Sequence, residues 1–356
     1  MKQRDPLGNT LATNPHRRFG DIPLVLRVAF ILGIPVLGVV LFLWVGVSRQ
    51  NINAIQPGVT FSQIHASSLN LNWRETLTAI LDDLGVRQFR IPVYWSVVEP
   101  MRGSYDWSSI DFQMDEIARR DGKVLLAIGL KLPRWPECWM PEWVKKLSTE
   151  DEHTARMAYL TATIERYKNH PALKAWQVEN EASFPFGVCP PPSRAFHKKE
   201  IAHVQALDTS HEVVTTDAGE LSTWIPTGLL VNRLGISVYR IVRLPWGSVW
   251  SYDWIPPYWY ARRALLAHAW VNEIFISEFQ MEPWLEKGVL DTEIDVQKET
   301  FNLDRMKKNF AFAERMRIPE VYFWGVEWWW WMKTQQHDPA FWDEAKSFFK
   351  NHQISQ

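Results

Sequence analysis

The sequence predicts an α/β chain: a (β/α)8 TIM barrel preceded by a single N-terminal transmembrane helix. Three observations predict it. Short apolar runs alternate eight times with longer segments of helical periodicity, the pattern of a parallel sheet. Those units fill about 300 residues, the size of such a barrel, and the Gly-rich first turn of a doubly wound open sheet is missing. Residues 28–47, VAFILGIPVLGVVLFLWVGV, are twenty residues without a charge.

The apolar run comes first in the chain. Twenty helical residues span about 30 Å, the thickness of a bilayer core. Pro35 is tolerable in a membrane helix, and Trp44 lies near one end, where aromatic residues favour the interface. Lys2, Arg4, Arg17, Arg18 and Arg27 precede the run, and only Arg49 follows it before residue 70. That asymmetry puts residues 1–27 in the cytoplasm and everything beyond the run outside, as a single-pass membrane protein of the cell envelope. The alternatives are a cleaved signal peptide, whose apolar region is usually shorter, and a buried core helix. Residues 48–57 form a linker reaching at most about 35 Å, and residues 58–356 form the barrel.

The barrel elements follow in order. GVTFSQI (58–64) reads as a strand and 73–85 as a helix with a Gly stop. VRQFRIPVYW (86–95) is the second strand, 110–122 a helix, and KVLLAIGL (123–130) the third strand. A helix at 154–168 leads to LKAWQVENE (173–181), the fourth strand, and a helix at 194–206 follows. EVVTTDAG (212–219) and LGISVYRIV (234–242) are the fifth and sixth strands, with a helix at 256–271. EIFISEFQ (273–280) is the seventh strand, 296–316 a helix, PEVYFWGVEW (319–328) the eighth strand, and 339–350 the closing helix.

Composition excludes several functions. Lys plus Arg number 39 against 40 Asp plus Glu, so the basic excess of a nucleic-acid footprint is absent. The ten His and two Cys show no H-x-H, no H-E-x-x-H and no zinc spacing. No Gly-rich phosphate loop is present, so no nucleotide, metal or other cofactor is implied.

In this barrel, active sites lie at the C-terminal ends of the strands. The fourth strand ends in Glu181 and the seventh in Glu278. Acidic side chains are almost never fully buried unless paired, so an apolar strand ending in a carboxylate is delivering it somewhere. Two carboxylates converging at one end of a barrel suit glycosidic bond cleavage: one protonates the leaving oxygen, and the other attacks or activates water. Glu179 rivals Glu181, because alternation puts both on one face of an ideal strand. Glu282 rivals Glu278 but falls beyond the strand.

These motifs resemble the clan of retaining glycoside hydrolases built on this barrel, which contains many cellulases, mannanases and β-galactosidases. The resemblance spans roughly residues 57–350. It implies that Asn180-Glu181 supplies the acid/base at the fourth strand and Glu278 the nucleophile at the seventh. It further implies that Arg90 in FRIPVYW supports the nucleophile, that Tyr239 in GISVY contacts it, and that Trp324 in YFWG lies under the sugar. No His can be placed on the third strand, where some of these families have one. The residues also make chemical sense alone. Arg90 and the Tyr239 hydroxyl favour an ionised Glu278, Glu181 needs an apolar setting and a neighbouring carboxylate to stay protonated, and Asn180 is placed for the sugar 2-hydroxyl. The plainer readings are an ordinary ion pair for Arg90 and barrel packing for Tyr239 and Trp324.

Three loops are rich in Trp: Trp135, Trp139 and Trp143 after the third strand, Trp246, Trp250 and Trp254 after the sixth, and Trp328 to Trp331 after the eighth. Trp135 and Trp328 are expected to bind sugar faces. Loop packing and membrane-interface contact are the alternatives, and four consecutive Trp cannot all face one ligand if extended. Cys138 and Cys189 follow neighbouring strands on the same end of the barrel. Outside the cytoplasm they are expected to form a disulfide, the alternative being two buried thiols. The expected function is retaining hydrolysis of β-linked oligo- or polysaccharides. A transglycosidase on the same residues and a non-catalytic, membrane-anchored carbohydrate-binding protein are the alternatives.

Overall fold

A computed structural model describes residues 37–38, 41–43, 55–244 and 247–353. The expected span 28–47 falls mostly outside them, as do residues 1–27 and 48–54. Residues 37–38 and 41–43 are helical. Among the described residues no helix is long and apolar enough to cross a membrane.

Eight parallel strands close into a barrel in chain order: β1 (Gln56–Thr60), β2 (Gln88–Pro92), β3 (Lys123–Ile128), β4 (Leu173–Val178), β5 (Glu212–Asp217), β6 (Arg233–Val238), β7 (Glu273–Gln280) and β8 (Glu320–Trp324). Helices cover the outside, so the strands are buried on both faces and read as continuous apolar runs rather than alternating ones. Leu125, Ala175, Val214, Phe275 and Tyr322, one from each of five strands, form one buried cluster inside the barrel. At the opposite end from the site, Arg233 pairs with Glu320 and Glu273, and Lys174 with Glu320.

The expected strands other than the seventh run too long at their C-terminal ends, and after β1, β6 and β8 the excess has a local cause. After β1, Ser62 accepts a hydrogen bond from His65 N and caps a helix at Gln63–Ser68. After β6, the amides of Arg240 and Ile241 bond Gln280 Oε1 instead of a barrel neighbour. Ile241–Arg243 then pairs with Val249–Ser251 as a separate hairpin. The single helix expected at 296–316 is two, Ile294–Thr300 and Leu303–Met316, because the Asn302 side chain caps the second by accepting from Arg305 N. The expected extension of β8 to residue 328 is also corrected. Gly325 turns the chain at φ 125°, a conformation costly for other residues, and Val326–Gln335 is a helix.

The Trp quartet therefore lies on a helix. Trp328, Trp329 and Trp331 are buried, and Trp330 packs on Trp342 at 4.6 Å. Trp328, expected to bind sugar, is a core residue. It is sealed from solvent against Phe301 and Phe341, with its indole N–H donated to Gln297 Oε1.

β7 carries the irregularity that matters most. Its register against β6 jumps from Ile236↔Ile276 to Ser237↔Glu278, and its register against β8 shifts over the same stretch. A bulge adds one residue and re-aims the side chains beyond it. Phe275 points into the barrel, and so does Glu278, which strict alternation would have turned outward.

Candidate active site

Arg90 on β2 is the centre of the site. It is fully buried and spends every guanidinium nitrogen. Nε donates to Gln177 Oε1 at 2.7 Å, Nη1 to Glu278 Oε1 at 2.7 Å, and Nη2 to Asn180 Oδ1 at 2.7 Å. The planar fork suits this role where a Lys point charge would not. Tyr239 adds its hydroxyl to Glu278 Oε2 at 2.7 Å. Burial, and then the Glu278 charge, hold the Tyr239 phenol well above its usual range, so it stays a donor. Glu278 thus receives a cation on one carboxyl oxygen and a neutral donor on the other.

Glu181 lies in the contrasting setting. Burial first, and the Glu278 charge second, push its acid up to about 7, with the Ser237 hydroxyl and Lys131 opposing. Ser237 donates to Glu181 Oε1. The acid's own loop is fixed through its backbone: Glu181 N donates to Thr216 Oγ1 at 2.9 Å, and Lys131 Nζ donates to Glu181 O at 3.1 Å and Phe184 O at 2.6 Å. Asn180 Oδ1 accepts from both Arg90 and Thr216 Oγ1, the latter at 3.0 Å. Its amide N–H2 is left to donate elsewhere.

The rival carboxylates have other occupations. β4 stops at Val178, and both Glu179 (φ 59°) and Glu181 (φ 46°) are left-handed, so strand alternation no longer relates them. Glu179 turns outward and accepts from Leu130 N at 2.7 Å and Lys131 N at 2.6 Å. Gly129 makes room for it: a Cβ there would stand 2.4 Å from Glu179 Oε1. With Arg156, His197 and Glu200, Glu179 lines a cavity of about 730 Å³ whose lining does not include Glu181 or Glu278. Glu282 holds Trp324 instead, accepting its indole N–H at 2.7 Å. Burial alone would raise the Glu282 acid, but Arg134 and His65 outweigh it and pull it down to about 2. Arg134 also stacks on the Trp324 ring, its Cζ 3.9 Å from the centroid.

Arg90, Asn180, Glu181, Tyr239 and Glu278 are joined by these bonds into one constellation, with Trp324 at the end of β8. Trp135 is 64% exposed and stands at the rim, edge-on to Phe186 at 6.0 Å. Phe186 meets Trp284 at 6.0 Å, and Trp284 meets Tyr239 at 5.2 Å. This aromatic path from the rim to Tyr239 was not expected, since Phe186 and Trp284 carry no motif. Glu137, Gln177, Thr216 and Ser237 were missed as well. Of these only Glu137 had a signal, its place beside Cys138. Cys138 and Cys189 are joined as a disulfide with Cα atoms 5.2 Å apart. Among the described residues no group of three or more His, Cys, Asp or Glu is arranged to hold a metal ion.

Comparison with known proteins agrees with the barrel fold. The family model described as β-galactosidase, glycoside hydrolase 42, matches residues 69–214. A β-galactosidase from an Arthrobacter species is 34% identical over 104 residues, covering 24% of this chain and 15% of that protein. The solved β-galactosidase of the psychrophilic Marinomonas ef1 superposes with a TM-score of 0.54 at 14% identity, over 76% of this chain and 54% of that one. The endo-1,4-β-mannanase of Rhizomucor miehei gives 0.51 at 12% identity, over 78% of this chain and 87% of that one. The structural likenesses share the barrel fold. The chain is similar in sequence to part of the β-galactosidases, and its match spans only a small fraction of their length.

Proposed function

We propose that the chain is a retaining glycoside hydrolase that cleaves β-linked O-glycosidic bonds of oligo- or polysaccharides. The observation that carries this reading is the unequal setting of two carboxyls at the ends of β4 and β7. Glu278 is clamped by Arg90 and Tyr239, and Glu181 is buried beside it with its acid raised to about 7. Two carboxyls held in contrasting environments are assigned contrasting roles. Glu278 attacks the anomeric carbon and forms a glycosyl-enzyme, while Glu181 protonates the leaving oxygen. Glu181, now a carboxylate, then takes a proton from the incoming water, which releases the sugar with its original configuration. Asn180 presents its amide to the 2-hydroxyl, and Trp324 offers a flat face to the ring.

The test is NMR of the first-formed product from an aryl β-glycoside, before mutarotation. The β-anomer is expected, and the α-anomer would overturn the mechanism. Glu278→Gln is expected to abolish turnover, because the amide cannot attack. Glu181→Ala should accumulate the covalent intermediate on substrates with good leaving groups.

The 28–47 run supports a further part of the reading: a single-pass anchor, with the N-terminus cytoplasmic and the barrel outside. A reporter active only in the cytoplasm, fused after Gln356, should be silent, and a strong signal would reject this orientation.

A further inference from the structure

Glu137, on the loop after β3, is only 6% exposed. Among the described residues no cation lies within ion-pair distance of it. Its carboxyl has one long contact, Asn180 Nδ2 at 3.4 Å from Oε2. Burial first, and the Glu278 charge next, hold this acid well above the usual carboxylate range, with Lys131 only partly opposing. Burying an acid without a cation is expensive, and a carboxyl kept for structure is normally paired.

The backbone that presents it is also costly. Glu137 (φ 72°) and Arg134 (φ 83°) both sit in the left-handed region. Such positions persist only where the surroundings over-determine them, and they cluster at ligand sites. Here Glu137 N bonds Arg134 O at 2.8 Å, Leu132 N bonds Glu137 O at 2.8 Å, and Val188 N bonds Pro136 O at 2.9 Å. Cys138, the next residue, is tied to Cys189. Gly187 lets the second loop close on the first, since a Cβ there would fall 2.5 Å from Glu137 Cβ.

The Asn180 amide is oriented by Arg90 and Thr216, so its N–H2 faces away from them. A sugar hydroxyl taking one of those N–H groups comes to lie beside the Glu137 carboxyl. We propose that Glu137 is a sugar-recognition residue, hydrogen-bonding the hydroxyl next to the one that Asn180 holds. With Asn180 on the 2-hydroxyl, Glu137 meets the 3-hydroxyl. This inference rests on the glycosidase reading and deepens it by naming a third acidic residue and the sugar edge it meets.

The test is a double cycle on the aryl β-glycoside that the wild type turns over fastest and on its 3-deoxy analogue. Removing the hydroxyl should lower wild-type kcat/KM by about 10- to 100-fold, the worth of a hydrogen bond with a charge-bearing or buried group. Glu137→Ala should cost a similar factor on the parent substrate and little more on the deoxy one, and Glu137→Gln should recover part of the loss. Equal losses by Glu137→Ala on both substrates would make the residue structural and overturn the proposal. A wild type inactive on every aryl glycoside would remove the glycosidase reading, and this inference with it. Folding is checked separately. A carboxyl whose folded pKa lies above its unfolded value destabilises as pH rises past that unfolded value, so Glu137→Gln should match or exceed the wild-type Tm at pH 7. A Tm loss paralleling the activity loss would also overturn it.

Discussion

Ser237→Ala tests the acid most directly. The Ser237 hydroxyl donates to Oε1 of Glu181 inside a buried site, where it favours the carboxylate and so opposes the upward push of burial and Glu278. A hydrogen bond to a charged group contributes roughly 1.5–3 kcal/mol, and one pH unit corresponds to about 1.4 kcal/mol. The hydroxyl also bonds the neutral acid, so only part of that sum separates the two forms, about one pH unit. Without it the Glu181 acid should titrate about one unit higher. The basic limb of kcat/KM reports the free enzyme's acid, so that limb should move up by about one unit. The assay is a pH profile on an aryl β-glycoside whose leaving group needs protonation, for wild type and variant. A dinitrophenyl glycoside, which leaves without help, should show little of this limb. A limb that stays in place, or moves to lower pH, would refute Glu181 as the acid set by these contacts.

Arg90→Met should leave the carboxylate of Glu278 buried without its cation, lowering unfolding free energy by about 3–5 kcal/mol and abolishing turnover. Arg90→Lys should restore little of either in urea titrations and kinetics, because one ammonium cannot serve Gln177, Asn180 and Glu278 together. Glu282→Leu removes the acceptor of the Trp324 indole and one partner of Arg134. It should raise KM more than it lowers kcat, and Glu282→Gln, which keeps the acceptor, should recover most of the KM. The Cys138–Cys189 bridge joins residues 51 apart and stabilises by up to roughly 4 kcal/mol in the chain-entropy model. The double Ser variant should lose stability accordingly, and the intact mass of the wild type should rise by two hydrogen atoms on reduction. No mass change would mean the bridge is not formed.

The eight barrel strands, and the carboxylates at the ends of two of them, are legible in the sequence itself, because they rest on local signals. Continuous apolar runs such as KVLLAI and EVYFW declare strands covered on both faces. A carboxylate closing such a run, as in WQVENE or FISEFQ, is too costly to be accidental. Strand ends are less legible, since Ser62, Asn302 and Gly325 terminate or cap elements through side-chain and backbone bonds that apolar periodicity does not register. The Trp quartet is misleading for the same reason: its composition suggests a sugar platform, and only the turn at Gly325 sends it into the core.

Tertiary structure alone decided which carboxylates face the site. Glu179 and Glu181 are equivalent by alternation, and they part because β4 ends before them and Gly129 leaves room for one to turn away. Glu278 points inward through a bulge in β7 that no residue in the strand announces. Glu137 reaches Asn180 only where a disulfide between residues 51 apart and Gly187 bring two loops together. Burial, charge proximity and loop closure are properties of the packed chain. A one-dimensional pattern places residues on strands, but the distances between strands set their chemistry.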